Sequence, residues 1–169
     1  MKVQAITGHI GSNTFIAECE GGVVLLVDAG ARLADVQKAL NGKKPDAILL
    51  THEHFDHVFH LGDYRKYFDC PVHLPKDETE IAVGNVKIKP ILCPGHSPQS
   101  VVYLIGDCLF TGDVLFSDTI GRTDLMPDGD RLMQQSLRKL LTVRFKTAYH
   151  GHYESSNFKQ QQENIKKFL

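Results

Sequence analysis

A chain of 169 residues falls in the size range of one domain, and 42% hydrophobic with 23% charged residues is ordinary globular usage, which excludes disordered, collagen-like and coiled-coil classes. Nineteen basic against twenty acidic residues leave a net charge of −1 without a basic cluster, so a nucleic-acid partner is disfavoured. Apolar runs such as Val23–Val27 are far too short to span a bilayer, and the N-terminus lacks the apolar core of a secretory signal. The expectation is a cytoplasmic protein, one domain over residues 1–169, with no membrane partner.

Taken in chain order, Val3–Ile6, Thr14–Cys19 and Val23–Val27 read as a strand meander turning at Gly21-Gly22. Arg32–Leu40 carries Leu33, Val36 and Leu40 at helical spacing and stops at Asn41-Gly42, a C-cap signal. Ala47–Thr51 is a strand buried on both faces, and Gly62–Phe68 a short helix. Pro71–Leu74, Ile81–Val83, Val86–Ile91, Val101–Ile105 and Cys108–Thr111 follow as strands. Asp130–Leu141 sets Met133, Leu137, Leu140 and Leu141 on one face, predicting a helix packed on a sheet. Lys146–Tyr149 is a last strand and Phe158–Phe168 a terminal helix. Two stacked sheets with helices outside satisfy the layer rule. The cysteines, Cys19, Cys70, Cys93 and Cys108, show no CxxC spacing and read as reduced, buried thiols.

The chemistry concentrates in Thr51-His52-Glu53-His54-Phe55-Asp56-His57, directly after the buried strand. In an extended segment alternate residues share a side, so His52, His54 and Asp56 converge while His57 follows at the turn. Imidazole and carboxylate together form the ligand set of zinc, iron and manganese. Three later residues repeat one theme, a ligand-type side chain just past an apolar strand: His96 in Cys93-Pro94-Gly95-His96, Asp113 in Phe110-Thr111-Gly112-Asp113, and His150 in Ala148-Tyr149-His150. Five histidines and two aspartates exceed what one catalytic zinc takes. The expected division is His52, His54 and His96 on one ion, Asp56, His57 and His150 on the other, and Asp113 bridging. Asp56 and Asp113 are the residues assigned to catalysis. A bridging hydroxide would be the nucleophile.

In this order, His52-Glu53-His54-Phe55-Asp56-His57, His96, Asp113 and His150 resemble the metallo-β-lactamase superfamily over essentially the whole chain. The resemblance implies a four-layer αββα sandwich, an α/β fold with the metal site at one edge of the two sheets. It also casts Asp28 as a support of the ligand loop. Thr111-Gly112-Asp113-Val114-Leu115-Phe116 and Ile120-Gly121-Arg122-Thr123-Asp124 are similar to the corresponding segments of glyoxalase II-like hydrolases. That resemblance implies a thioesterase with two divalent ions, zinc first and iron or manganese next, acting on a small-molecule thioester. Gln99 departs from the pattern, and so do His152 and Tyr153 after His150-Gly151. The chain ends at Leu169, and the glutathione-gripping C-terminal helical domain of full-length glyoxalase II is expected to be missing. Two further readings stand beside this one: a persulfide dioxygenase-like oxidoreductase with a single iron, and a non-catalytic metal-binding module. His60 and His73 read as surface residues and Arg122 as an ion-pair partner of Asp124. His9 and His152 are each either surface residues or part of the pocket wall.

Overall fold

Sheet one is built from β1 (Lys2–Thr7), β2 (Asn13–Glu18), β3 (Val24–Val27), β4 (Ala47–Leu49) and β5 (Val72–His73), in that spatial order. Sheet two runs β11-β10-β9-β8-β7-β6, where β6 is Ile81–Val83, β7 Val86–Leu92, β8 Val101–Ile105, β9 Cys108–Gly112, β10 Thr147–His150 and β11 Ser156–Asn157. The helices are α1 (Leu33–Leu40), α2 (Phe55–Val58), α3 (Leu61–Phe68), α4 (Gly129–Leu140) and α5 (Phe158–Lys166). These elements come from a computed structural model describing all residues from Met1 to Leu169. The one-turn helix α2 and the short strand β11 are additions to what the sequence patterns predicted; both lie where hydrophobic periodicity is too brief to read.

Alternation along the strands explains the layers. Leu25, Val27, Leu49, Tyr103 and Phe110 point between the sheets and form the central core with Phe15 and Ile88. Their neighbours Leu26 and Ile48 point outward onto Val36 and Leu40 of α1 and Tyr64 and Phe68 of α3. On the opposite side, Val102, Leu109 and Ala148 pack against Met133, Leu137 and Leu140 of α4 and Ile165 of α5. The central strands are therefore apolar on both faces because both faces are covered. The result is the αββα arrangement expected from the sequence.

Connectivity sets where the site forms. β1, β2 and β3 are antiparallel, whereas β3, β4 and β5 are parallel through helical crossovers, as are β9 and β10 across α4. Parallel neighbours end at the same edge of a sheet. The two edges are stitched together by backbone hydrogen bonds: Val101 N–H donates to the Thr51 carbonyl (2.8 Å) and Asn13 N–H to the Gly151 carbonyl (2.7 Å). No helix is long and apolar enough to cross a membrane.

Candidate metal centre

The ends of β3, β4, β7, β9 and β10 deliver Asp28, the His52–His57 segment, His96, Asp113 and the residues after His150 to this stitched edge. His52 and His57 are fully buried, and His96 and Asp113 are nearly so. Three sets of side chains bring their donor atoms within 4.8 Å of one another: His52 with His54 and His96, His52 with His57 and Asp113, and Asp56 with His57 and His152. Asp113 lies between the outer two sets, its Oδ2 3.6 Å from His96 Nε2 and 3.3 Å from His152 Nε2. Its Oδ1 is 3.1 Å from His57 Nε2.

Outer hydrogen bonds decide which nitrogen each ring turns inward. The carbonyls of Arg122 and Gly11 can only accept, so His96 (3.0 Å) and His152 (3.0 Å) donate to them through Nδ1 and keep Nε2 for the cluster. Asp28 accepts from His57 Nδ1 at 2.8 Å and from the Thr51 hydroxyl at 2.7 Å. The Thr51 oxygen, its own proton committed, then accepts from His52 Nδ1 at 3.0 Å. Asp28, as the resemblance implied, steadies the loop: its Oδ1 also takes the Thr51 N–H at 2.8 Å.

The donor atoms that face inward have the character of ligands. His52 Nε2, His57 Nε2 and Asp113 Oδ1 are buried with no hydrogen-bond partner. Although His57 Nε2 and Asp113 Oδ1 are 3.1 Å apart, neither is aligned to bond the other. Two donors each about 2.1 Å from one tetrahedral ion lie roughly 3.4 Å apart, which matches the 3.2 Å between His152 Nε2 and Asp56 Oδ2 and the 3.6 Å between His57 Nε2 and Asp56 Oδ2. Unpaired buried donors aimed at shared points fit divalent cations. The space beneath is also reserved: a Cβ on Gly151 would fall 2.0 Å from Asp113 Oδ1.

The electrostatics divide the rings. Burial, and then the positive charge of His57, keep His52 well below the usual histidine pKa, and burial lowers His96, so both are neutral donors. Burial opposes charge on His57 too, but Asp28 and Asp113 outweigh it and hold its pKa at about 10. Hydrogen bonds that His152 donates to the Asp113 and Asp56 carboxylates raise its pKa to about 10. Desolvation of Asp113 is overcome by His152 and His57, which keep its carboxyl far below the ordinary carboxylate range.

Six of the seven residues predicted as ligands meet here, namely His52, His54, Asp56, His57, His96 and Asp113. His150 does not. It sits on β10 with its ring on the α5 side, where Nδ1 is 2.8 Å from the Thr111 hydroxyl and Nε2 2.9 Å from the Ser156 hydroxyl. Both nitrogens are thus satisfied within the fold, and burial lowers its pKa to about 4. The position assigned to His150 is filled by His152, which the sequence reading kept outside the ligand set. A signal was present: Gly151 is a small residue that lets the chain pass under the cluster just before His152. Arg122 pairs with Asp124 as expected, through Nε at 2.8 Å. His9 and His60 pack on Phe59 and stay outside the cluster.

Fold and site together define a class, an αββα sandwich with a multi-histidine, two-carboxylate metal-binding cluster at its edge. Residues 7–90 and 74–152 match the Metallo-beta-lactamase superfamily, and the chain belongs to it. The chain is 34% identical over 137 residues to the probable metallo-hydrolase YqgX of Bacillus subtilis (strain 168), covering 60% of this chain and 65% of that protein. It is 34% identical over 113 residues to the hydroxyacylglutathione hydrolase of Yersinia enterocolitica, covering 58% of this chain and 45% of the enzyme. Both matches thus span less than two thirds of the relative's length. Among solved structures, the BLEG-1 B3 metallo-beta-lactamase superposes with a TM-score of 0.91 at 26% identity, over 99% of this chain and 100% of its own.

Proposed function

We propose that this protein is a dinuclear metal-dependent hydrolase of the glyoxalase II kind, cleaving small thioesters. One observation carries the reading: two groups of donors, His52–His54–His96 and Asp56–His57–His152, share Asp113 between them, with buried donor atoms left unpartnered. Nitrogen and oxygen donors without a thiolate suit zinc, with iron or manganese as the other candidates. Such ions supply an activated water at neutral pH and a positive field for a developing oxyanion.

The chain's own residues then do the rest. Asp113 holds negative charge between the two groups and fixes their spacing. Asp28, Thr51 and the Arg122 carbonyl hold His57, His52 and His96 through Nδ1, so that each ring turns Nε2 toward the cluster. Phe55, 65% exposed, and Phe59, 41% exposed, meet edge to face at 4.6 Å beside the ligand loop and offer an apolar wall to a substrate. With the ions bound, every histidine and carboxylate of the cluster would serve as a ligand, and Arg122 is held by Asp124. No free acid is left to protonate a leaving group. A thiolate leaves without one, since a thiol's pKa of about 8.5 makes its anion stable near neutrality, whereas an amide nitrogen does not. That difference favours thioesters, in line with the similarity to a hydroxyacylglutathione hydrolase.

The test is reconstitution of chelator-stripped protein with zinc, iron or manganese, followed by ion counting and assays on lactoylglutathione, a short acyl thioester and a β-lactam. Two ions per chain with turnover of a thioester is the expected result. One iron per chain with oxygen consumed on a persulfide would replace this reading with the dioxygenase, and bound metal without turnover would leave a binding module.

A further inference from the structure

The two halves of the cluster are supported by different parts of the chain. The His52–His54–His96 half leans on the Thr51 hydroxyl and the Arg122 carbonyl. In the Asp56–His57–His152 half, His57 leans on Asp28, which also holds Thr51, whereas Asp56 and His152 lean on residues 11–13, where the chain turns from β1 into β2. There the Gly11 carbonyl accepts from His152 Nδ1 (3.0 Å), and the Ser12 hydroxyl donates to the Asp56 carbonyl (2.6 Å). The Asn13 side-chain amide donates to the carbonyls of His150 (3.1 Å) and Tyr153 (3.0 Å), and its backbone N–H to that of Gly151 (2.7 Å). Asn13 therefore brackets His152 from both sides.

This bracket is built into the fold. Ser12 is fully buried and Asn13 nearly so. The Thr7 hydroxyl donates to Asn13 Oδ1 at 2.9 Å, which turns the amide so that both of its hydrogens serve the two carbonyls. A Cβ on Gly30 would lie 2.2 Å from the Ser12 oxygen and 2.3 Å from the Asp56 carbonyl, so the bond between them occupies space only glycine leaves open. Tyr153 adopts φ +64, a conformation costly for a bulky side chain. The segment presenting His152 needs an external tie to hold it, and Asn13 supplies one.

We propose that Ser12 and Asn13 are positioning residues that set the affinity of the Asp56–His57–His152 half for its divalent cation and leave the other half untouched. The two ions then load with affinities the protein tunes separately. This inference rests on the two-ion reading given above.

The experiment titrates zinc into chelator-stripped wild type, Asn13→Ala, Asn13→Asp and Ser12→Ala by calorimetry, with ions counted at saturation and thermal unfolding recorded. Wild type should take two ions. Asn13→Ala should weaken one of them by about 10–100-fold, the usual effect of losing an outer hydrogen bond to a ligand, and leave the other within about twofold. Asn13→Asp keeps the shape but faces two carbonyls with an acceptor, and should lose at least as much. In a His152→Ala background, Asn13→Ala should have no further effect on the remaining ion. Should Asn13→Ala fail to fold, Ser12→Ala, which removes a single hydroxyl, carries the same expectation. Equal weakening of both ions, or a lower melting temperature with both affinities intact, overturns the inference. A wild type that takes only one ion overturns the two-ion reading itself.

Discussion

His150 and His152 stand two residues apart, and the fold gives them opposite chemistry. The first ends β10, is fully buried, and spends both nitrogens on Thr111 and Ser156. The second lies in the following loop, with one nitrogen on the Gly11 carbonyl and the other between two carboxylates. Burial lowers the pKa of His150 to about 4, whereas the carboxylates raise that of His152 to about 10. A histidine in the right sequence neighbourhood is thus no guide to ligation by itself; what matters is whether a nitrogen is left over once the fold has been satisfied.

The sharpest way to break this contrast is to truncate each ring. On the proposed two-ion thioesterase reading, His152→Ala should lose one ion and lower thioester hydrolysis by at least about 100-fold, with little change in melting temperature, and Asp56→Ala should behave alike. Ion counts and kinetics check both. His150→Ala should act the other way round. Leaving the buried Ser156 and Thr111 hydroxyls short of a partner, and a void behind, should cost about 2–4 kcal/mol in denaturant unfolding, while folded molecules still bind two ions. Retained activity in His152→Ala, or a stable but metal-poor His150→Ala, would reverse the two roles.

The pH dependence of stability sharpens the contrast further. The unfolded chain protonates His150 near pH 6.5 and the folded chain only near 4, so the folded state excludes a proton that the unfolded state binds. Its contribution is complete above about pH 6.5 and erodes as pH falls toward 4, by up to roughly 3 kcal/mol. Chelator-stripped His150→Gln should therefore show a flatter stability profile than wild type across that window. The smallest effect belongs to Arg122→Ala. Its exposed pair with Asp124 is screened by solvent and adds little to stability, and His96 is held by the backbone carbonyl of residue 122, so neither melting temperature nor ion affinity should change measurably.

Much of the architecture was legible because each strand and helix repeats its period locally. Leu25 and Leu26, or Leu109 and Phe110, show both covered faces of a strand side by side, and Met133, Leu137 and Leu140 mark the buried stripe of α4. The His52–His57 run was legible for the same reason, with all its ligands inside one turn of chain. His150 misled because the end of an apolar strand signals position and says nothing of facing. Alternation with Ala148, which packs on α4 and α5, carries the His150 ring to the helix side of the sheet. The shift in pairing between β9 and β10 at Tyr149/His150 then turns the chain toward the cluster one residue later.

The amino-acid order alone marked out the strands, the helices and the HxHxDH run, and offered the distant His96 and Asp113 as partners, because periodicity and ligand chemistry act over a few neighbouring residues; the αββα sandwich followed from the family resemblance. Choosing His152 over His150 was left to the tertiary structure. That choice depends on a carbonyl at Gly11, 141 residues away in the chain, and on hydroxyls at Thr111 and Ser156 that compete for the other ring. Hydrogen bonds between remote segments form only when folding has closed the loops between them, and no local pattern encodes which of two nearby imidazoles they will claim.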